Sequence, residues 1–315
     1  MSRHHVFSGI LQQAEATPPV PTAVVWPLSD VALKGACEAA EARVIAPVLI
    51  GPADRIARLA QAAHLNIAHC EVIDTAEEEA AAAAGVELCR AGRTRILMKG
   101  SLHTDTFMHA VMREGAGLRG HRRISHVFLF EVPSYPQMLM ITDAAVNIAP
   151  SLMDKADIVQ NAIDLAHVMK IAEPRVEILS AVETVNPKIQ STIEAAALCK
   201  MAERGQITGG VLDGPLAFDT AVNLRSAEIK NVRSPVAGRA DILVVPDLES
   251  GNMLAKQLEY LAGARLAGIV LGARVPIMLT SRADDARSRL ASCAIATLYA
   301  ARAGKIRRLT ATTVT

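Results

Sequence analysis

Aromatic residues are scarce: Phe, Trp and Tyr together make up 3% of the chain, with a single Trp. This argues against the stacking platforms that hold single-stranded nucleic acid. Net charge is almost absent as well. Thirty-three Lys and Arg against 32 Asp and Glu leave +1, so no general affinity for nucleic acid or an acidic surface is implied. No apolar run reaches the ~18 residues of a membrane span. The opening stretch MSRHHVFSGILQQAEATPP lacks an apolar core long enough for a signal peptide. The expectation is a soluble cytoplasmic protein with neither membrane nor nucleic acid among its partners. Five cysteines (Cys37, Cys70, Cys89, Cys199 and Cys293) are scattered, odd in number and without a Cys-x-x-Cys pair. That argues against a disulfide framework and a structural zinc site. His103 and His109 fall on different faces of a helix, and His64 and His69 share no third ligand, so no metal site is expected. A Gly-x-Ser-x-Gly elbow and a P-loop are both missing.

Hydrophobic residues are present in quantity, at 51% of 315 positions. The length exceeds one ordinary core, so two domains are expected. Short apolar runs alternate with helical stretches. TAVVWP, APVLIG and RILMKG read as strands, and the stretches Asp30–Ala42 and AEEEAAAAAGVELCRAG read as helices. Such alternation marks an α/β fold with mainly parallel sheets flanked by helices. It breaks once, where HVFLFEVP and QMLMITD are separated by only Ser134-Tyr135-Pro136 and read as an antiparallel hairpin. A division just after that hairpin gives 1–143 plus 275–315 as one α/β domain and 144–274 as the other.

The run GAGLRG, Gly115 to Gly120, matches G-x-G-x-x-G. A dinucleotide fingerprint must follow a strand and open a helix. Here a helical stretch precedes it and a strand follows, so it reads as a helix C-cap and loop. In TSRADD, Ser281 and Asp284 fit a capping box, and Asp284 and Asp285 suit the helix dipole. Arg282 does not, because a cation opposes the positive end of that dipole. Either the neighbouring aspartates offset it, or a bound anion does. The stretches VVPDLESGN and VLDGPLAFD add polar residues at further strand ends, where α/β sheets bind ligands.

Four ordered stretches, ITDAAVNIAP, LDGPLAFD, PDLESGNMLAKQL and PIMLTSRAD, resemble the phosphate acetyl/butyryltransferase family, and the similarity runs from about Lys99 onward. The resemblance implies two α/β domains with an interdomain cleft, of isocitrate/isopropylmalate dehydrogenase-like architecture. It also implies a reaction: acyl-CoA and phosphate reversibly give acyl phosphate and CoA. Coenzyme A is then a substrate, no cofactor is bound permanently, no metal is needed, and the assembly is a homodimer. Ser281 and Arg282 match the family's active-site Ser-Arg pair. Arg123 matches a second active-site arginine, with Arg122 the neighbouring alternative. Asn147, Asp213, Asn252 and Lys256 fall in substrate-binding motifs.

The acetyl branch carries a catalytic aspartate about a turn beyond Asp284, where this chain has Arg287-Ser288. Asp284 is therefore the candidate base, with Asp285 second. The acetyl branch also has a cysteine where this chain has Ala144, and the TSRAD form looks more like the butyryl branch. Acyl length stays open between acetyl and butyryl. A non-catalytic CoA or acyl-phosphate binding homologue and a nicotinamide-dependent oxidoreductase of related architecture are the competing readings.

Overall fold

The computed structural model describes residues 6–279 and 285–312. In chain order the elements are α1 (Val6–Glu15), β1 (Val20–Val25), α2 (Asp30–Glu41), β2 (Ile45–Gly51), α3 (Ala53–Ala62), β3 (Glu71–Asp74), α4 (Glu78–Arg90), β4 (Ile96–Lys99) and α5 (Thr104–Met112). Next come β5 (Ser125–Glu131), β6 (Leu139–Thr142), α6 (Leu152–Val168), β7 (Arg175–Leu179), α7 (Gln190–Glu203), β8 (Val211–Leu216), α8 (Phe218–Val222) and α9 (Leu224–Ile229). The last are β9 (Ile242–Val244), α10 (Leu248–Tyr260), β10 (Arg265–Leu271), β11 (Ile277–Met278) and α11 (Ala286–Thr312). This is an α/β fold of mixed sheets flanked by helices.

The chain forms two compact units, one of Phe7–His121 with Ala267–Thr315, the other centred on Arg122–Leu266. The boundaries expected at 143/144 and 274/275 therefore fall earlier. The reason is strand pairing. β5 and β6 do form the antiparallel hairpin, but β6 also pairs in parallel with β9. Its ladder partners hold the hairpin in the second unit.

In the first unit the strand order is β3-β2-β1-β4-β11-β10, parallel except for β10 against β11. Every residue of β4 is buried, as are four consecutive residues of β1. Strands covered on both faces are mostly apolar, and among these buried residues Thr22 of β1 and Lys99 of β4 are the polar ones. Each fully buried Leu, Ile or Val stabilises by ~1.5–3 kcal/mol. The small residues of α4 have a packing reason. A Cβ at Gly85 would lie 2.6 Å from Val25 Cγ2, so only Gly lets the helix sit this close to β1.

Two of the three glycines of GAGLRG are also explained by close approach, and the third, Gly115, by its positive φ of 69°. A Cβ on Gly117 would meet the Val111 carbonyl oxygen at 2.2 Å, and one on Gly120 would meet that of Gly272 at 2.5 Å. The loop follows α5, as the expected C-cap reading requires, and packs against its own unit. In the second unit the order is β5-β6-β9-β7-β8, and only the β5–β6 pair is antiparallel. Phe130, Leu139, Ile141 and Leu243 lie in its core.

Candidate active site

The start of β5 and the end of β6 lie at the same edge of the second unit's sheet, because the two strands run antiparallel. The parallel neighbour β9 ends at that edge too. Three of the expected site residues follow from this: Arg123 just before β5, Asn147 after β6, and Asn252 in the helix after β9. This is the carboxyl edge of the parallel strands, where α/β sheets place their ligands.

Asp143 organises the loop that leaves β6. Its carboxylate accepts the backbone amides of Ala145 at 2.9 Å, Val146 at 3.0 Å and Asn147 at 3.2 Å. An aspartate folding back on the following amides is the side-chain equivalent of a backbone turn. The Asn147 amide is buried within that turn. Its Nδ2 donates to the Ile124 carbonyl at 2.8 Å and to Asp143 Oδ2 at 2.5 Å, and its Oδ1 accepts Arg123 Nε at 2.7 Å. Arg123 is further held through its backbone: its N–H donates to Asp157 at 2.8 Å, and its carbonyl accepts Asn161 Nδ2 at 2.9 Å. The Arg123 side chain is 48% exposed. Arg122 is placed differently, on Asp164 of α6 at 2.5 Å.

Asp247 caps α10 by accepting the Ser250 amide at 2.8 Å. Gly251 then brings the helix against the Asp143 loop, since a Cβ there would stand 2.6 Å from Val245 Cγ2 and 3.0 Å from Ala144 Cβ. Ala144 is fully buried, so the small side chain at this position is a packing requirement. Asn252 Nδ2 donates to the Ala144 carbonyl at 3.3 Å, and the Leu248 amide to that of Ile148 at 3.0 Å. The loops after β6 and β9 are thereby tied together.

Two ionisable groups border the cluster. Asp154 Oδ1 stands 3.6 Å from Arg123 Nη1. Slight burial pushes its carboxyl up, but the Ser151 hydroxyl and amide and the Arg123 charge outweigh that and hold it below the usual carboxylate range. His126, in β5 itself, is buried with no hydrogen-bond partner on Nδ1. Burial pushes its imidazole down to about 4 against the opposing pull of Asp143, so it is neutral at pH 7. Neither Asp143 nor Asp154 stood out in the sequence. The available signals were the Asp at the end of an apolar run in ITDAAVN and the Ser151-x-x-Asp154 capping box of α6.

Asp213, Lys256 and Asp285 make other contacts. Asp213 is inside β8, three strand spacings or roughly 14 Å across the sheet from β6. Its strand neighbour is Glu177 of β7, which is fully buried and has no hydrogen-bond partner on either carboxyl oxygen. Burial first, and then the nearby Asp213 charge, push Glu177 up to about 10, with the Ile178 amide pulling the other way. The Cys199 thiol beside them is pushed up to about 12, again by burial first and Asp213 next. Lys256 makes its contacts on its own helix, with Glu259 at 3.0 Å and over the Tyr260 ring at 5.6 Å. Asp285 caps α11 by accepting the Ser288 amide at 2.6 Å. Ser281, Arg282 and Asp284 lie outside the described residues. Among the described residues, no three His, Cys, Asp or Glu side chains converge as metal ligands would. No helix among them is long and apolar enough to cross a membrane.

The family model described as phosphate acetyl/butaryl transferase matches residues 78–297. A phosphate acetyltransferase of Rhizobium meliloti is 58% identical over 296 residues, covering 94% of each chain. A phosphate butyryltransferase of Clostridium beijerinckii is 37% identical over 296 residues, covering 94% of this chain and 98% of that one. Among solved structures, a branched-chain phosphotransacylase from Enterococcus faecalis V583 superposes with a TM-score of 0.76 at 26% identity, covering 89% of this chain and 99% of that one. With the family's match spanning most of the chain and both kinds of relative aligned nearly end to end, the chain belongs to the phosphate acetyl/butyryltransferase family.

Proposed function

We propose that this acyltransferase, which exchanges an acetyl group reversibly between CoA and inorganic phosphate, prefers acetyl to longer acyl groups and uses direct in-line transfer. The observation that carries the reading of its site is the Arg123 guanidinium, tied at Nε to a buried amide, with 48% of the side chain exposed beside Asp154. A planar fork presented this way suits the bidentate recognition of a phosphate group. Arg282, the arginine of the active-site pair implied by the resemblance, binds the phosphate with Arg123, in keeping with the bound-anion reading of TSRADD, and Asn252 stays in the substrate-binding set. Asp213 and Lys256 complete that set as expected from the sequence; their contacts add no support to it.

In the direction from acetyl phosphate, the CoA thiol must lose its proton, and a free thiol has a pKa of ~8.5. Asp284 takes that proton. Asp285 is the weaker choice, because its carboxylate already caps α11. The thiolate attacks the acyl carbon, Ser281 donates to the resulting oxyanion, and phosphate leaves with the C–O bond electrons. Both substrates need only be held in line, without a covalent enzyme intermediate. The pH-rate profile tests the base: Asp284→Asn should lose most of its turnover in CoA acetylation. Turnover close to wild type in that variant would move the role to Asp285 or outside this loop.

Support for acetyl is the higher identity to the acetyltransferase, 58% against 37%. Thiol release from acetyl-CoA and butyryl-CoA with phosphate should differ at least ~10-fold in kcat/KM, since each methylene is worth ~1–3 kcal/mol in such discrimination. A ratio favouring butyryl reverses the acyl assignment. Absence of thiol release with either substrate would leave a non-catalytic binding homologue. The proposal also includes the isocitrate/isopropylmalate dehydrogenase-like architecture, CoA as substrate with no resident cofactor, and a cytoplasmic homodimer. Sedimentation equilibrium at monomer mass would remove the dimer.

A further inference from the structure

We propose that Asp143 is a positioning residue that fixes the Arg123 guanidinium through the Asn147 amide. The inference rests on Arg123 being the phosphate-binding group. A primary amide has one oxygen that accepts and one nitrogen that donates, so its orientation decides what it offers a neighbour. Asn147 Nδ2 faces two acceptors, Asp143 Oδ2 at 2.5 Å and the Ile124 carbonyl at 2.8 Å. Flipping the amide would set its oxygen against both of these and turn its N–H groups toward the Arg123 Nε–H. Every contact would then be like against like.

Of the two acceptors only Asp143 carries a charge, and a charge-assisted bond is about twice as strong as a neutral one. Asp143 is itself immobilised by the three backbone amides of its turn and is 3% exposed, while Asn147 is 2% exposed. Water therefore does not compete for either partner. At the far end, Asp157 and Asn161 pin the Arg123 backbone, so only its side-chain torsions remain free. The bond from Nε to Asn147 Oδ1 at 2.7 Å removes that freedom. It occupies the Nε–H and so leaves the two amino groups to be shared between Asp154 and a ligand. Asp154, at 3.6 Å from Nη1, competes for the same head group. Asp143 acts against that pull by holding Nε.

The test reads the hydrogen bond and the kinetics separately. The Arg123 Nε–H signal is assigned by its disappearance in Arg123→Lys, and its exchange with water is compared in wild type and Asp143→Asn. The variant keeps the shape but loses the charge that orients Asn147. Exchange should be at least about 10-fold faster in it, because the protecting bond is loosened. KM for phosphate should rise about tenfold with kcat changed less than about twofold. Asp143→Ser is the second variant should Asp143→Asn fail to fold, since a serine can still cap the turn amides. Unchanged Nε–H exchange in a folded variant overturns the proposal. Faster exchange together with an unchanged phosphate KM in Arg123→Lys supports the positioning role but removes the phosphate role of Arg123.

Discussion

Arg123→Lys is expected to raise KM for phosphate by roughly 10- to 100-fold, measured by steady-state kinetics at saturating acetyl-CoA. The substitution keeps the positive charge and removes the fork. A lysine ammonium is a point charge on a flexible stem and cannot both bond Asn147 and present two parallel donors to a phosphate. The Asn147 oxygen is left in a buried setting without its charged donor. Losing a hydrogen bond to a charged group costs ~1.5–3 kcal/mol, which is the source of the predicted range. Arg122→Lys is the internal comparison. Arg122 pairs with Asp164 and makes no contact in the Asn147 cluster, so its KM should stay near wild type. A phosphate KM within about twofold of wild type in Arg123→Lys would take this residue out of phosphate handling.

The second large effect is on stability. Glu177→Gln should stabilise the protein by ~3 kcal/mol at pH 7, with the gain shrinking to nothing near pH 4.5. Glu177 is fully buried without a hydrogen-bond partner, and its carboxyl is raised from 4.5 to about 10. At pH 7 the folded state keeps this proton and the unfolded state has lost it. The unfolded state therefore binds fewer protons, and stability falls as pH rises from about 4.5 toward 10. Glutamine does not titrate, so the penalty disappears while the shape is kept. Urea unfolding at several pH values would show it. A wild-type-minus-variant difference that does not change between pH 5 and 8, or that favours wild type at high pH, would mean the carboxyl is ionised in the fold.

Much of the architecture was legible because α/β units are written locally. Apolar runs such as VPTAVV and ILMK in β1 and β4 announce strands covered on both faces. The short separation at Ser134-Tyr135-Pro136 announced the hairpin formed by β5 and β6. The order of the reversed GAGLRG elements was enough to set aside a dinucleotide site, and the close approaches at Gly117 and Gly120 supply the packing reason. The domain boundary was less legible. A hairpin is local, but membership in a sheet depends on the next ladder partner, and β9 lies a hundred residues further along the chain.

The sequence by itself determined the alternating α/β order, the hairpin, and the motifs that resemble the family. All of these depend on residues close together in the chain, where periodicity and turn chemistry act. Only the tertiary structure gave Arg122 and Arg123 different partners, because these are Asn147, Asp154 and Asp164, brought in by β6 and α6. It also put Asp143 behind Asn147, made Asp285 a helix cap, and set Asp213 beside the buried Glu177. A polar residue at a strand end is a local fact. Whether it faces a ligand, a cap or another carboxyl depends on which distant strand becomes its neighbour, and spacing along the chain does not encode that.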